Sequence, residues 1–492
     1  MKYDVIIVGA GPSGIFTAYE LSKENKNISI LMIEKGKAIE NRICPKRVTK
    51  RCVNCKPSCR ITTGFAGAGA FSDSKLSKSV DVGGDLPQLI GYEKAQKLIN
   101  ETDEVYLKFG GNKSVYGTKI NGEIKEIKKK AIENNLKLIS CPIRHLGTDG
   151  GYKIYTDFQN HLLSSGVNII FDTMVDDLII KNNEIKGVKI KSVSESDLIN
   201  AFDEVSLEEE PYRDMRYVSK KVYSDKVVLA VGREGSEWLE NICKYHNINT
   251  AVGSIDIGVR VEVKDTIMEK LNKNLYESKL IYYTPTFDDK VRVFCSNPSG
   301  EVTTEYYDGN LAVVNGHAYN AKELKTENTN FALLVTQNFK EPFKSPIAYG
   351  KHIARLGNML AGNKIIVQRY GDFKRGRRTT EERLYRNNII PTLKDAVPGD
   401  LSLVLPYRIM KDLVEMIEAL NGVVPGLASD ELLLYGVEVK FYSNKVIIDE
   451  NFETNIKGLY GLGDGVGITR GLMQSSAMGL QMGRILSKKN YN

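Results

Sequence analysis

Long apolar runs are missing from this 492-residue sequence: no stretch approaches the roughly 18 consecutive apolar residues of a membrane-spanning helix. Charge of one sign is not concentrated either. The formal net charge is +7, lysines are interspersed with acids, and no basic stripe marks a nucleic-acid surface. Histidine is scarce, with His145, His161, His246, His317 and His352 the only five. None lies near the main cysteine group, so no histidine is at hand there to complete a mixed zinc site. Cysteines are odd in number, seven in all, with four inside sixteen residues. A secreted disulfide framework does not read that way, and a reducing, cytoplasmic setting fits the pattern. Internal repeats and low-complexity tails are absent. What remains is an ordinary globular composition with room for two or three domains.

The first 34 residues carry the clearest pattern. Asp4-Val5-Ile6-Ile7-Val8 is a short β-branched run and predicts a buried parallel strand rather than a signal peptide. Gly9-Ala10-Gly11-Pro12-Ser13-Gly14 follows, matching G-x-G-x-x-G, then a helical stretch from Ile15 to Leu21. A second apolar run, Ile28 to Ile33, ends on Glu34, twenty residues beyond Gly14. In this setting Gly9 makes a tight turn, Gly11 lets backbone approach a pyrophosphate and Gly14 lets helix and strand pack closely. The helix N-terminus, with Pro12 and Ser13, offers N–H groups to phosphate. Glu34 is placed to accept the hydroxyls of an adenosine ribose, which favours FAD or NAD over NADP.

Further along, Thr63 to Asp73 interleaves glycine and alanine (Gly67, Ala68, Gly69) before Ser72, as expected for backbone apposed to a ligand. A helical excursion is expected at about 84–140, then strands from Gly166 and again at Val227 to Ala230. From 250 to 430 alternation sets in, as in Ile255-Asp256-Ile257-Gly258-Val259-Arg260-Val261-Glu262, which predicts a partly exposed sheet with one buried face. The resulting expectation is α/β. A Rossmann-like domain (parallel sheet with a three-stranded β-meander) spans 1–249 and 431–492, and an inserted α+β substrate domain spans 250–430.

Gly9 to Glu34, Arg42, Val227 to Gly232 and Gly461 to Gly465 together resemble FAD-binding flavoproteins of the glutathione-reductase-like superfamily. The resemblance implies non-covalent FAD, with Lys35 and Arg42 beside the N-terminal motif and Gly232 passing the cofactor. It also implies that Gly463-Asp464 sets a carboxylate on the ribityl chain, while Gly471 and Leu472 open a helix toward the flavin pyrimidine edge. More narrowly, Ala66 to Leu76, His145 to Asp149, Val231 to Gly235, Ile255 to Arg260 and Gly463 to Gly467 resemble the FAD-dependent dehydrogenases of many anaerobic bacteria. That implies a flavin oxidoreductase acting on a small molecule. No second G-x-G-x-x-G occurs between 140 and 260, which argues against the disulfide reductases and leaves NAD(P)H as a transient donor or a redox partner protein as the electron source.

Two features stay open. Cys44, Cys52, Cys55 and Cys59 could hold zinc or an iron–sulfur cluster, act as redox thiols, or simply line a loop. Catalytic candidates are Tyr283, Arg292, His317 and Tyr319, since hydride transfer needs a proton donor or acceptor and an anchor for a carbonyl or carboxylate. The leading expectation is a dehydrogenase or reductase. Its rivals are an electron-transfer flavoprotein with a cysteine-held cluster, a monooxygenase, and a flavin-dependent RNA-modifying protein.

Overall fold

The computed structural model describes residues 2–45, 55, 58–71, 74–118, 121–192, 206–208, 217–275, 277–307, 311–318, 323, 325–340, 342–343, 345–441 and 445–488. The chain divides into two compact units, one of 1–115, 142–251 and 443–492, the other of 116–141 and 252–442.

In the first unit five short strands lie in the order Leu459–Gly461, Val227–Leu229, Val5–Val8, Ile30–Ile33 and Asn168–Ile170, every neighbouring pair parallel. Val5, Ile6 and Ile7 are fully buried, as an unbroken β-branched run must be when helices cover both sheet faces. Helix Pro12–Glu24 leaves the central strand and packs against helix Leu472–Ser487 from the other end of the chain. Two glycines allow that approach. A Cβ at Gly479 would sit 2.2 Å from the Ser13 carbonyl oxygen, and one at Gly483 would sit 2.7 Å from the Glu20 Cβ. Arg484 seals the seam, donating to Glu20 and Glu101 at 2.7 and 2.6 Å.

The unit also holds an antiparallel sheet in the order Thr173–Lys181, Glu184–Ser192, Tyr217–Tyr223, Ser206–Glu208. The expected three-stranded meander thus gains a fourth short strand, Ser206–Glu208, from the acid-rich stretch after Ser192.

The second unit is built on eight strands, ordered Val397–Pro398, Ile366–Arg369, Leu433–Lys440, Ser254–Lys264, Asn328–Asn338, Lys290–Asn297, Lys279–Tyr283 and Leu136–Ile139. Pairing explains where its boundaries differ from those expected. Leu433–Lys440 lies beside Ser254–Lys264, so the unit runs past 430, and Leu136–Ile139 pairs with Lys279–Tyr283, which draws 116–141 out of the helical excursion.

The one-buried-face expectation for this sheet is corrected. Ile255, Ile257, Val259 and Val261 are buried, but so are Asp256, Arg260 and Glu262 on the alternate positions. Arg260 is wholly enclosed and donates to both Glu438 oxygens at 2.8 Å, to Asn330 at 2.9 Å and to the Cys295 carbonyl at 3.2 Å. Glu262 accepts from Thr392 at 2.6 Å, Asn328 at 3.0 Å and Tyr435 at 2.5 Å. Burial opposes both members of the Arg260–Glu438 pair. Their mutual attraction outweighs it, raising the Arg260 pKa and lowering that of Glu438.

Asp412, on helix Tyr407–Val423, is also fully buried and accepts from the Thr284 hydroxyl at 2.7 Å. Burial pushes its pKa up to about 7; the Thr284 bond opposes this and the adjoining Asp289 carboxylate adds to it. A carboxyl that ionises near pH 3.9 in the unfolded chain but near 7 in the fold binds more protons when folded. Its contribution to stability is therefore full below about pH 4, declines as pH rises to about 7, and is flat above. Thermal melting from pH 5 to 8.5 should show Asp412→Asn gaining on the parent protein toward neutral pH, because the amide needs no proton to stay neutral. Parallel curves would refute the assignment.

Candidate dinucleotide site

The glycine turn sits at the C-terminal end of the central parallel strand. Gly9 has φ +104, and a Cβ there would meet the Ala230 carbonyl oxygen at 2.4 Å. A Cβ at Gly14 would fall 2.1 Å from the Gly9 oxygen. Both positions exclude a side chain for internal reasons. Gly11 is different: nothing stands within 4 Å of where its Cβ would be, and it caps helix Pro12–Glu24 without a side-chain hydrogen bond. The first turn contains Pro12, Ser13 and no acid. The helix dipole and its free N–H groups therefore face open space with no negative side chain to compete for them.

Glu34 closes the second strand and is 5 % exposed. Its carboxylate accepts three backbone N–H bonds, from Ala10 at 2.8 Å, Gly36 at 2.9 Å and Gly64 at 3.0 Å. The side chain expected to reach a ribose thus also pins the glycine turn to the loop before Gly67. That loop is tied again by Ala66 N–H donating to the Ala10 carbonyl at 2.7 Å. Ala66 and Gly67 both have positive φ, +68 and +56, and the Gly67–Phe71 turn follows. Gly69 lies against Leu472, whose Cδ2 would be 2.7 Å from an added Cβ. Ser72 lies outside the described residues, and Ala68 lies within the turn.

Arg42 takes up a different post. It is buried, and its guanidinium donates to the carbonyls of Arg60 (3.1 Å), Ile61 and Phe65 and stacks 4.7 Å over the Phe71 ring. Burial lowers its pKa to about 10, with Glu34 opposing. Its fork holds the loop in place and has few donors left for anything else. Lys35 is a surface contact, its Nζ 3.4 Å from the Glu234 carbonyl oxygen.

Gly232 (φ +66) and Gly463 (φ +83) form facing turns beyond strands Val227–Leu229 and Leu459–Gly461, and a Cβ at Gly465 would be 2.7 Å from the Gly232 oxygen. A Cβ at Gly463 would meet Ser13 Oγ at 2.7 Å. Asp464 accepts from Arg233 at 3.0 Å, a pairing no local sequence signal announces. Gly471 caps helix Leu472–Ser487 without a side-chain bond, again with no acid in the first turn. The first unit thus assembles Gly9, Gly11, Ser13, Gly14, Glu34, Gly67, Gly463 and Gly471 around one pair of helix starts.

The other candidates do not converge. In the second unit Tyr283 and Arg292 stand on adjacent strands of the large sheet, Arg292 donating to Asp256. His317 ends a separate two-stranded hairpin, opposite Glu301. Tyr319 lies outside the described residues. Lys374, Arg375 and Arg377 are taken up by Glu418, Asp430 and Asp372 at 2.6–2.8 Å. Cys44, Cys55 and Cys59 carry free thiols, and Cys52 lies outside the described residues. Among the described residues no three His, Cys, Asp or Glu side chains are grouped to hold a metal ion. Burial acts to raise the Cys59 thiol, but hydrogen bonds from Thr62 and Ile61 outweigh it and its pKa lies below the usual value. Among the described residues no helix is long and apolar enough to cross a membrane.

Comparison with known families bears on the same geometry. Residues 7–51 match the NAD(P)-binding Rossmann-like domain. The first unit carries a Rossmann-like nucleotide-binding domain. Residues 254–441, nearly the whole large sheet with its helices, match the FAD-dependent protein, C-terminal domain-like family. No curated protein matches the chain in sequence. Similar solved structures include quinol fumarate reductase from E. coli (12 % identity, 100 % of this chain and 72 % of that one, TM-score 0.40). L-proline dehydrogenase from P. horikoshii (13 %, 99 % and 94 %, 0.37) and glycine oxidase from Bacillus cereus (14 %, 100 % and 96 %, 0.35) are others. At these scores the likenesses say nothing about substrate.

The Rossmann-like domain should depend on Glu34 for its stability. Replacing the carboxylate by Glu34→Gln turns an acceptor into a donor aimed at N–H groups, and should cost about 2–3 kcal/mol in urea denaturation. Lys35→Gln, at the surface, should stay within about 0.5 kcal/mol. Equal stability of the two variants would remove the clamp from Glu34.

Proposed function

We propose that this protein is an FAD-dependent oxidoreductase of glutathione-reductase-like type, holding FAD non-covalently along the Rossmann-like domain and acting on a small organic molecule. The observation that carries the reading is the uncapped, acid-free start of helix Pro12–Glu24, with open space at Gly11 and the Glu34 clamp beside it. The match of residues 254–441 to an FAD-dependent family supports FAD over NAD as the resident group.

The residues present suit such a cofactor. Gly11, Ser13 and Gly14 would present backbone N–H groups to the pyrophosphate, and Glu34 retains lone-pair capacity toward the ribose beyond its three backbone bonds. Asp464 would meet the ribityl hydroxyls once Arg233 yields, and the Gly471–Leu472 helix start would bias the ring's pyrimidine edge toward negative charge. When bound, FAD supplies two-electron hydride exchange at N5 with the substrate. Tyr283, Arg292 and His317 stand apart in the second unit, so none of them is assigned the proton-handling role; NAD(P)H is the proposed transient donor. A reducing, cytoplasmic setting accords with the free thiols.

The test is to identify and quantify flavin released from purified protein by denaturation, before and after incubation with FAD. Stoichiometric FAD is expected, and failure to take up any flavin would sink the proposal. Gly11→Asp sharpens it. An aspartate at that N-cap satisfies the helix end itself and opposes the phosphates, so FAD affinity should fall by about a hundredfold while the apoprotein melts no earlier. Undiminished FAD binding by this variant would move the cofactor elsewhere.

A further inference from the structure

The antiparallel sheet of the first unit carries a cleft of about 350 Å³ that the dinucleotide site does not use. Its lining includes Lys2, Lys181, Lys186 and Lys221, with Asp225 as the one lining carboxylate. Asp225 is shared by Lys2 at 3.3 Å and Lys186 at 3.1 Å, and Lys186 also reaches Glu184 at 2.9 Å. Lys181 and Lys221 pair with no carboxylate among the described residues. The cleft is therefore left with two uncompensated cations among the described residues, Lys181 and Lys221, after its internal pairs are counted.

Its floor is equally particular. In register across three strands stand Ile179, Gly187 and Tyr223. Gly187 has φ +149, and a Cβ there would strike the Val222 carbonyl oxygen at 2.1 Å, so this position can carry no side chain. The row is open at its centre, between an isoleucine and a tyrosine that is 43 % exposed. A flat aromatic face beside an apolar side chain is what a planar ring stacks on, and lysine ammonium groups are point donors for phosphate oxygens. The volume lies at the small end of the range for ligand cavities.

The geometry points to a second ligand site on this sheet that takes a nucleoside polyphosphate, its base on Tyr223 and Ile179 over Gly187 and its phosphates among Lys2, Lys181 and Lys221. The site stands independently of the flavin reading, because none of its residues belongs to the dinucleotide crevice. Binding is salt-sensitive, since the cations are exposed.

The test titrates FAD-saturated full-length protein with ADP and, separately, with inorganic pyrophosphate, by calorimetry at low salt. ADP should bind at least about fivefold more tightly than pyrophosphate, the difference being the stacked base. Tyr223→Ala should bring ADP down to the pyrophosphate affinity. Lys181→Gln combined with Lys221→Gln should weaken both ligands by about tenfold with an unchanged melting temperature. The proposal is overturned if neither ligand binds, if the two bind equally in the parent protein, or if ADP binding ignores the double lysine change. Should the protein take up no flavin, the flavin reading fails on its own, and the lysine and tyrosine variants still report where ADP binds.

Discussion

One carboxylate holds together the parts of the first unit that would meet a cofactor. Glu34 collects N–H groups from Ala10, Gly36 and Gly64, on the glycine turn, the end of the second strand and the glycine–alanine loop. A buried anion with three donors is a low-energy arrangement only if all three stay in place, since losing one leaves charge poorly solvated. The glycine turn, the end of the second strand and the glycine–alanine loop are therefore fixed as a set. Arg42 works from the other side, drawing the carbonyls of Arg60, Ile61 and Phe65 onto its guanidinium. An anion gathers amides and a cation gathers carbonyls, and the loop between them is defined from both ends.

The second unit shows the same economy at larger scale. Its central strand puts Ile255, Ile257, Val259 and Val261 on one face and Asp256, Arg260 and Glu262 on the other, and neither face meets water. The charged face is tolerable because every charge finds a partner: Arg292 for Asp256, Glu438 for Arg260, and three neutral donors for Glu262. Replacing any single member would leave its partner buried and unmatched, which costs more than the intact pair contributes.

These details also mark what sequence can convey. Gly9, Gly14 and the strand before them were legible because a strand, a tight turn and a helix are local, and each stamps its own spacing on the chain. The position of Glu34 was legible for the same reason. Its partnership with Gly64 was not, as thirty residues of chain separate them and nothing local encodes the meeting. Arg42 entered through the flavoprotein resemblance, and its carbonyl partners are known only once the loop is folded. The alternation at 255–262 gave the strand but misjudged its surroundings, because a period of two is equally served by water or by a buried ion-pair network. The four-stranded antiparallel sheet and the boundary near 442 likewise depend on which strands pair, a long-range fact.

The seam between helices Pro12–Glu24 and Leu472–Ser487 has a consequence for synthesis. The central strand Val5–Val8 is flanked by Val227–Leu229, and the sheet's outer strand Leu459–Gly461 and its covering helix emerge only after residues 252–442. At about 5–20 residues per second, translation takes tens of seconds to travel between them. Through that interval the second unit, whose residues 252–442 are made in between, can complete its own sheet while the first stands with one flank of apolar surface uncovered. The nucleotide-binding domain is begun before the second unit's main segment and finished after it.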